Sequence, residues 1–199
     1  MPWSKLDIIN LAFNVLNKSS VNSVSSAGEF SDAADRAYDM LMPAEIAIQS
    51  WRFATKIQGL NLLVDPAPLS WWRYQLQLPS DYLAAVRTYP RFDFQIFGDK
   101  IYANAKDIKL EYRYVPNPTA LPAYFVHYFV LKLAAWFADA VAQDDNLSRS
   151  LEAKSIMELQ KALFCDSQSH PTPSMANNPI VGVRSGCYGG NWGYGYGGY

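Results

Sequence analysis

Cysteine and histidine are scarce in these 199 residues: the chain has Cys165 and Cys187, His127 and His170, and no others of either kind. The cysteines have no Cys-x-x-Cys spacing, and Cys187 lies in a Gly-rich stretch with no reason to hold fixed geometry, which argues against a disulfide framework. Neither histidine has a partner at coordinating spacing, so no metal ligand is assigned, and His127 is read as a helix-packing residue. Charge is sparse too, 18% against about 25% in an ordinary domain. It is also balanced, 17 Lys and Arg against 18 Asp and Glu, for a net charge of -1, which excludes a strongly basic nucleic-acid binder. Met-Pro-Trp-Ser-Lys-Leu-Asp opens the sequence without the basic and apolar regions of a signal peptide, so nothing marks the chain for secretion. The most apolar run, Tyr124 to Ala142, contains Lys132 and Asp139, each costing about 2.5–3.5 kcal/mol in a bilayer. It is read as a buried helix, and no membrane span is expected.

Catalytic signatures are missing as well. There is no nucleophile elbow, phosphate-binding loop or His-Glu-x-x-His, so no catalytic or cofactor-binding residue is assigned. Asp144 with Asp145, Asp32 with Asp35 and Glu152 with Glu158 are the carboxylate pairs that hydrolytic chemistry would draw on. Their places at a helix break and on helix ends favour a structural role.

What the chain has is apolar surface: half its residues are hydrophobic and 15% are aromatic, enough for one substantial core with appendages. Leu6, Ile9, Phe13 and Leu16 form one stripe of a helix over 4–17. A polar, small-residue loop comes after it. A second helix over 31–52, with Ser31 as N-cap and Asp32 in its first turn, carries Ala34, Tyr38, Leu41, Ile48 and Trp51 on its apolar side. Pro43 predicts a kink near 39–43. Over 55–118 the period drops to two, most clearly in Trp72–Leu78 and Ile108–Tyr114, which predicts a small antiparallel β-unit. The rings of Trp51-Arg52-Phe53 are expected to seal the helices against this β-unit, with Arg52 a helix-end charge or an intersubunit contact. Gly98-Asp99 between Phe94–Phe97 and Lys100–Ala103 predicts a tight hairpin. The helical period then returns over 122–142, through Val126, Phe129, Leu133, Phe137 and Val141. A last helix over 147–165 is marked by Leu147, Leu151, Ile156, Leu159 and Leu163, with Glu152, Lys154, Glu158 and Lys161 on its wet side. The expected fold is α+β: a four-helix bundle in residues 1–165 with the β-unit inserted between its second and third helices, then a tail.

The tail, 166–199, has only Asp166 and Arg184 as charged side chains, three prolines, and the run Gly-Gly-Asn-Trp-Gly-Tyr-Gly-Tyr-Gly-Gly-Tyr. Such a composition builds neither helix nor core. Fully extended it reaches about 110 Å, long enough to cross onto neighbouring subunits. It has three readings: a solubilising disordered end, a nucleic-acid stacking segment, or an adhesive strand. Nucleic-acid stacking needs accompanying cations, and the tail supplies only Arg184. The aromatics favour docking, with Trp192, Tyr194, Tyr196, Tyr199 and Arg184 as partner-binding candidates. Trp71-Trp72-Arg73-Tyr74 is the other aromatic cluster. Core or interface packing is favoured there over a ligand platform, and Trp71 and Trp72 are taken as candidate contacts.

The order of several short motifs resembles the tail tubular protein A, or head-to-tail adaptor, family of short-tailed bacteriophages. These are Ala33-Ala-Asp-Arg-Ala37, Trp51-Arg-Phe53, Leu78-Pro-Ser-Asp-Tyr-Leu83, Gly98-Asp-Lys-Ile-Tyr102, Leu121-Pro122 and Lys132-Leu-Ala-Ala-Trp-Phe137, spanning about 30–165, with Leu78–Leu83 the most particular. The Tyr/Gly ending matches no pattern of that family. The resemblance implies a structural virion protein of the neck, assembled in the host bacterial cytoplasm. It would form a ring of about twelve copies closed by heterologous contacts, lying between the portal ring and a nozzle protein like tail tubular protein B. Genomic DNA would pass through the lumen without specific binding. The outer helices and tail are then expected to meet the portal, the β-unit to face the nozzle, and assembly to be templated. The near-neutral charge predicts a polar to acidic channel wall, because a basic one would hold phosphates. Two other classes compete: a tail-associated cell-wall hydrolase using Asp144 and Asp145, and a host-surface adhesion module.

Overall fold

Ser4 opens the first helix with a reciprocal cap: its hydroxyl accepts the Asp7 amide at 3.1 Å, while the Asp7 carboxylate accepts the Ser4 amide at 2.9 Å. The computed structural model describes residues 3–17, 29–64, 71–140 and 143–169. Residues 1–167 form one compact unit, and of the second, 168–199, only Gln168 and Ser169 are described.

The fold is α+β, with four helices and two antiparallel sheets. The helices are α1 (Lys5–Val15), α2 (Glu29–Ile48), α3 (Ala123–Ala140) and α4 (Asp145–Gln168). In α1 the buried residues are Ile8, Ile9, Ala12 and Phe13, so the stripe is centred one position away from Leu6 and Leu16, which are half-buried. α2 is described from Glu29, two positions ahead of the expected start. Ser31 therefore lies inside the helix and is not its cap. The helix continues through Pro43 and stops at Ile48, four residues short of the expected 52. Its buried side runs through Ala34, Tyr38, Met42 and Ile46, and Ile48 is 69% exposed rather than inward.

α3 is the central helix. Phe125, Val126, Tyr128, Phe129, Val130, Leu133 and Phe137 are all buried, on more faces than one stripe covers, because one apolar cluster takes in residues from all four helices. No helix among the described residues is long and apolar enough to cross a membrane. α4 starts where Asp144 accepts the Leu147 amide at 3.0 Å, and it runs three residues past the expected end at 165. Leu151, Ser155, Ala162 and Asp166 are its buried residues, whereas Ile156 is turned outward, 52% exposed.

Seven strands lie between α2 and α3: β1 (Thr55–Gly59), β2 (Asn61–Leu62), β3 (Tyr74–Gln77), β4 (Ala84–Tyr89), β5 (Phe94–Phe97), β6 (Lys100–Ala103) and β7 (Lys109–Arg113). The single β-unit expected from sequence is two sheets, ordered β1-β7-β4 and β2-β3-β6-β5. Alternation assigns faces to each strand but not partners, and the chain changes sheet after β1, after β3, after β4 and after β6. Leu76, Ile101 and Ala103 of one sheet join Leu110 and Tyr112 of the other in a second apolar cluster. The β5–β6 hairpin falls where expected; Gly98, with φ of 61°, takes the first loop position, as a type II′ turn requires.

Candidate functional site

Three joints hold the unit in shape, and each uses residues the sequence singles out. At the first, the chain leaves α2 so that the Trp51 indole enters the core, fully buried, with its N–H donating to the Glu45 carbonyl at 3.1 Å. Phe125 meets it edge-on at 5.0 Å between ring centroids, and Phe53 and Tyr128 lie alongside. These ring contacts are on the helical side. One link to the sheets is made by Arg113 of β7, whose guanidinium donates to the Ala47 carbonyl and, at 2.9 Å, to the Ser50 hydroxyl.

At the second joint Asp166, expected to begin the tail, is 2% exposed within α4. Its carboxylate accepts the Arg52 backbone N–H at 2.7 Å and the Tyr124 hydroxyl at 2.8 Å. Burial, and then the carboxylate itself, push the Tyr124 hydroxyl far above its ordinary range. Nearby, Tyr128 donates to the buried Glu45 carboxylate and is raised by the same two causes in the same order. Arg52 lies four residues past the end of α2 and is not a helix-end charge; its backbone N–H makes this contact, and the residue is exposed.

The third joint is Leu78-Pro-Ser-Asp-Tyr-Leu83, which carries the chain from β3 in one sheet to β4 in the other. The Asp81 carboxylate accepts Lys56 Nζ at 2.7 Å and the Tyr112 hydroxyl at 2.8 Å. The Lys56 hydrogen bond holds Asp81 below the usual carboxylate range. Burial, followed by Asp81, pushes Tyr112 up to about 12. Tyr82 accepts the Ala85 amide through its hydroxyl at 3.1 Å, and the Leu83 amide donates to the Arg113 carbonyl at 2.9 Å.

Four of the six carboxylates considered for acid/base work have partners of their own. Asp144 caps α4. Asp35 pairs with Lys5, which also holds Asp39 at 2.7 Å. Burial pulls the Lys5 value down, but the two carboxylates outweigh it and raise it. Glu152 faces Lys132 at 3.4 Å and Glu158 faces Lys161 at 2.6 Å. Among the described residues no group of three or more His, Cys, Asp or Glu is placed to hold a metal ion.

Trp71 is 65% exposed, so of core and interface packing only the interface is left open to it. Trp72 is half-buried and donates through Nε1 to Gln95 of β5 at 3.2 Å. Arg184, Trp192, Tyr194, Tyr196 and Tyr199 lie outside the described residues. His127 is not packed inside: its ring is 65% exposed, 3.7 Å from the Glu158 carboxylate. It sits on the rim of a groove of about 500 Å³ between α1 and α3, lined by Trp3, Leu11, Val15, Ala123, Val126 and Val130. Sequence reasoning missed this groove because it is the space left between two stripes, and a stripe pattern shows which side chains face inward but not where they fail to meet. It missed the Ser4–Asp7 cap although Ser-x-x-Asp before an apolar run signals one.

No family model matches the sequence, and no curated protein matches it.

Proposed function

We propose that this chain is a structural head-to-tail adaptor of a phage virion: copies of it form a ring between portal and nozzle through which DNA is ejected. The observation that carries the reading is the ordered series of motifs from Ala33 to Phe137, which fall within a single unit, two of them at its joints. Asp35 ties α2 to α1, Trp51-Arg52-Phe53 turns the chain from helices to sheets, Leu78–Leu83 bridges the sheets, and Lys132–Phe137 lies in α3 at the helical core. On this reading the helices are one bundle interrupted by the two sheets. The exposed apolar side chains of α4 (Ile156, Met157 and Phe164) and of the strands (Ile57 and Phe97) then serve as contact surface rather than stray hydrophobes. The ring closes by heterologous contacts, and the virion neck is its location. Immunogold electron microscopy of virions with antibody against this chain tests the placement. Label at the neck supports it; label at the fibre tips, or absence from the particle, overturns it in favour of the adhesion or hydrolase reading.

A further inference from the structure

We infer that the groove between α1 and α3 receives residues Trp192–Tyr196 of a second copy of this chain. The inference rests on the reading of the chain as a self-associating ring and names the contact that joins its copies.

The groove's lining is apolar, with Asn14 and His127 bringing polar side chains to its rim. That suits aromatic residues with a polar tip, which bury about 150–250 Å² each and still need a hydrogen-bonding partner for the hydroxyl or indole N–H. Trp192-Gly-Tyr194-Gly-Tyr196 has this chemistry at a regular spacing. In an extended backbone its three rings share one face while the glycines occupy the other, which lets the strand lie close to a surface. Four residues at about 3.3 Å span about 13 Å. The α3 wall of the groove, Ala123 to Val130, is about 10 Å long at 1.5 Å per residue. Charge fits as well: the residues after Ser169 carry one formal charge, on Arg184, so little has to be desolvated on docking.

Chain length selects a second copy. Asp166, three residues before Ser169, is held by Tyr124, so the tail leaves from a fixed point on the unit. Residues 170–191 span about 75 Å when extended, against a radius of gyration of about 15 Å for a unit of this size. That spacer suits a crossing to a neighbour. A tail given to one copy and received from another is a heterologous contact, the kind that closes rings.

The test uses full-length chains. A labelled peptide of residues Gly186–Tyr199 is titrated into the W192A/Y194A/Y196A chain, and into the same chain carrying also Val15→Lys, which puts a charge at a partly exposed end of the groove. Val15→Ile is the control for general perturbation. The expected result is micromolar binding, retained with Val15→Ile and weakened at least tenfold by Val15→Lys. Equal binding with and without the lysine, or no binding at about 1 mM peptide, overturns the proposal. An equimolar mixture of Val15→Lys chain and W192A/Y194A/Y196A chain, about tenfold above the measured Kd, is expected to sediment as a dimer, each variant alone as a monomer. A monomeric mixture overturns the second-copy assignment. Portal protein is absent from both assays, so failure here leaves the adaptor reading standing, and failure of the chain to meet a portal leaves the peptide result standing.

Discussion

The Asp166 carboxylate accepts the backbone N–H of Arg52 at 2.7 Å, so the last turn of α4 holds the turn that comes after α2. Tyr124 at the start of α3 donates to the other carboxylate oxygen. Three chain segments meet at one buried carboxyl group. Its removal leaves two donors unsatisfied.

Replacing Asp166 by Ala is therefore expected to cost about 2–4 kcal/mol, and Tyr124→Phe about 1–2 kcal/mol, read as shifts of the urea midpoint. Truncation makes the same point. Ending the chain after Ser169 should leave the midpoint unchanged, while ending it after Cys165 removes Asp166 and should lower it by an amount similar to Asp166→Ala.

How far the sequence discloses this fold depends on whether a feature is local. The β5–β6 hairpin is legible to the residue, because a two-residue Gly-X loop between alternating runs has few other solutions. Helices α1 and α3 are legible within one or two residues from their stripes. Asp166 is not: beside Cys165, at a change of composition, it reads as the start of a tail, and only Arg52 and Tyr124, far away in sequence, make it a core residue. Ile156 and His127 fail in the same sense: each is read as packing, and each is exposed, at 52% for Ile156 and 65% for the His127 ring. Splitting of seven strands into two sheets is equally invisible, since period two fixes faces and not neighbours.

Trp51 is fully buried and satisfied at its indole N–H. Trp51→Ala should cost about 3–5 kcal/mol by cavity formation, and Trp51→Phe less, with the tryptophan fluorescence of the unfolding transition reduced accordingly.

Gly98 holds φ of 61° with nothing within 4 Å of an added Cβ. Gly98→Ala should thus cost about 1 kcal/mol from backbone strain alone, and Gly98→Asn less, because Asn tolerates the left-handed region. A larger loss for Ala than about 2 kcal/mol would mean the hairpin makes contacts beyond its own turn.

Alkaline pH should weaken the fold. Burial pushes Tyr38, with Asp39 beside it, and Tyr112, with Asp81 beside it, up to about 12. Both lie above the unfolded value near 10, so the unfolded chain releases these protons first. Stability is complete below pH about 10 and declines as pH rises toward about 12. Urea midpoints at pH about 9 and 11 measure the slope, and Tyr112→Phe should flatten it while costing about 1 kcal/mol at pH 8.

The most direct test of the adaptor account is native mass spectrometry of the intact chain mixed with the portal ring of the virus that encodes it. The account predicts a portal carrying a closed set of about twelve copies, with no species that grows without limit. A portal mass unchanged by a large excess of folded chain would contradict it.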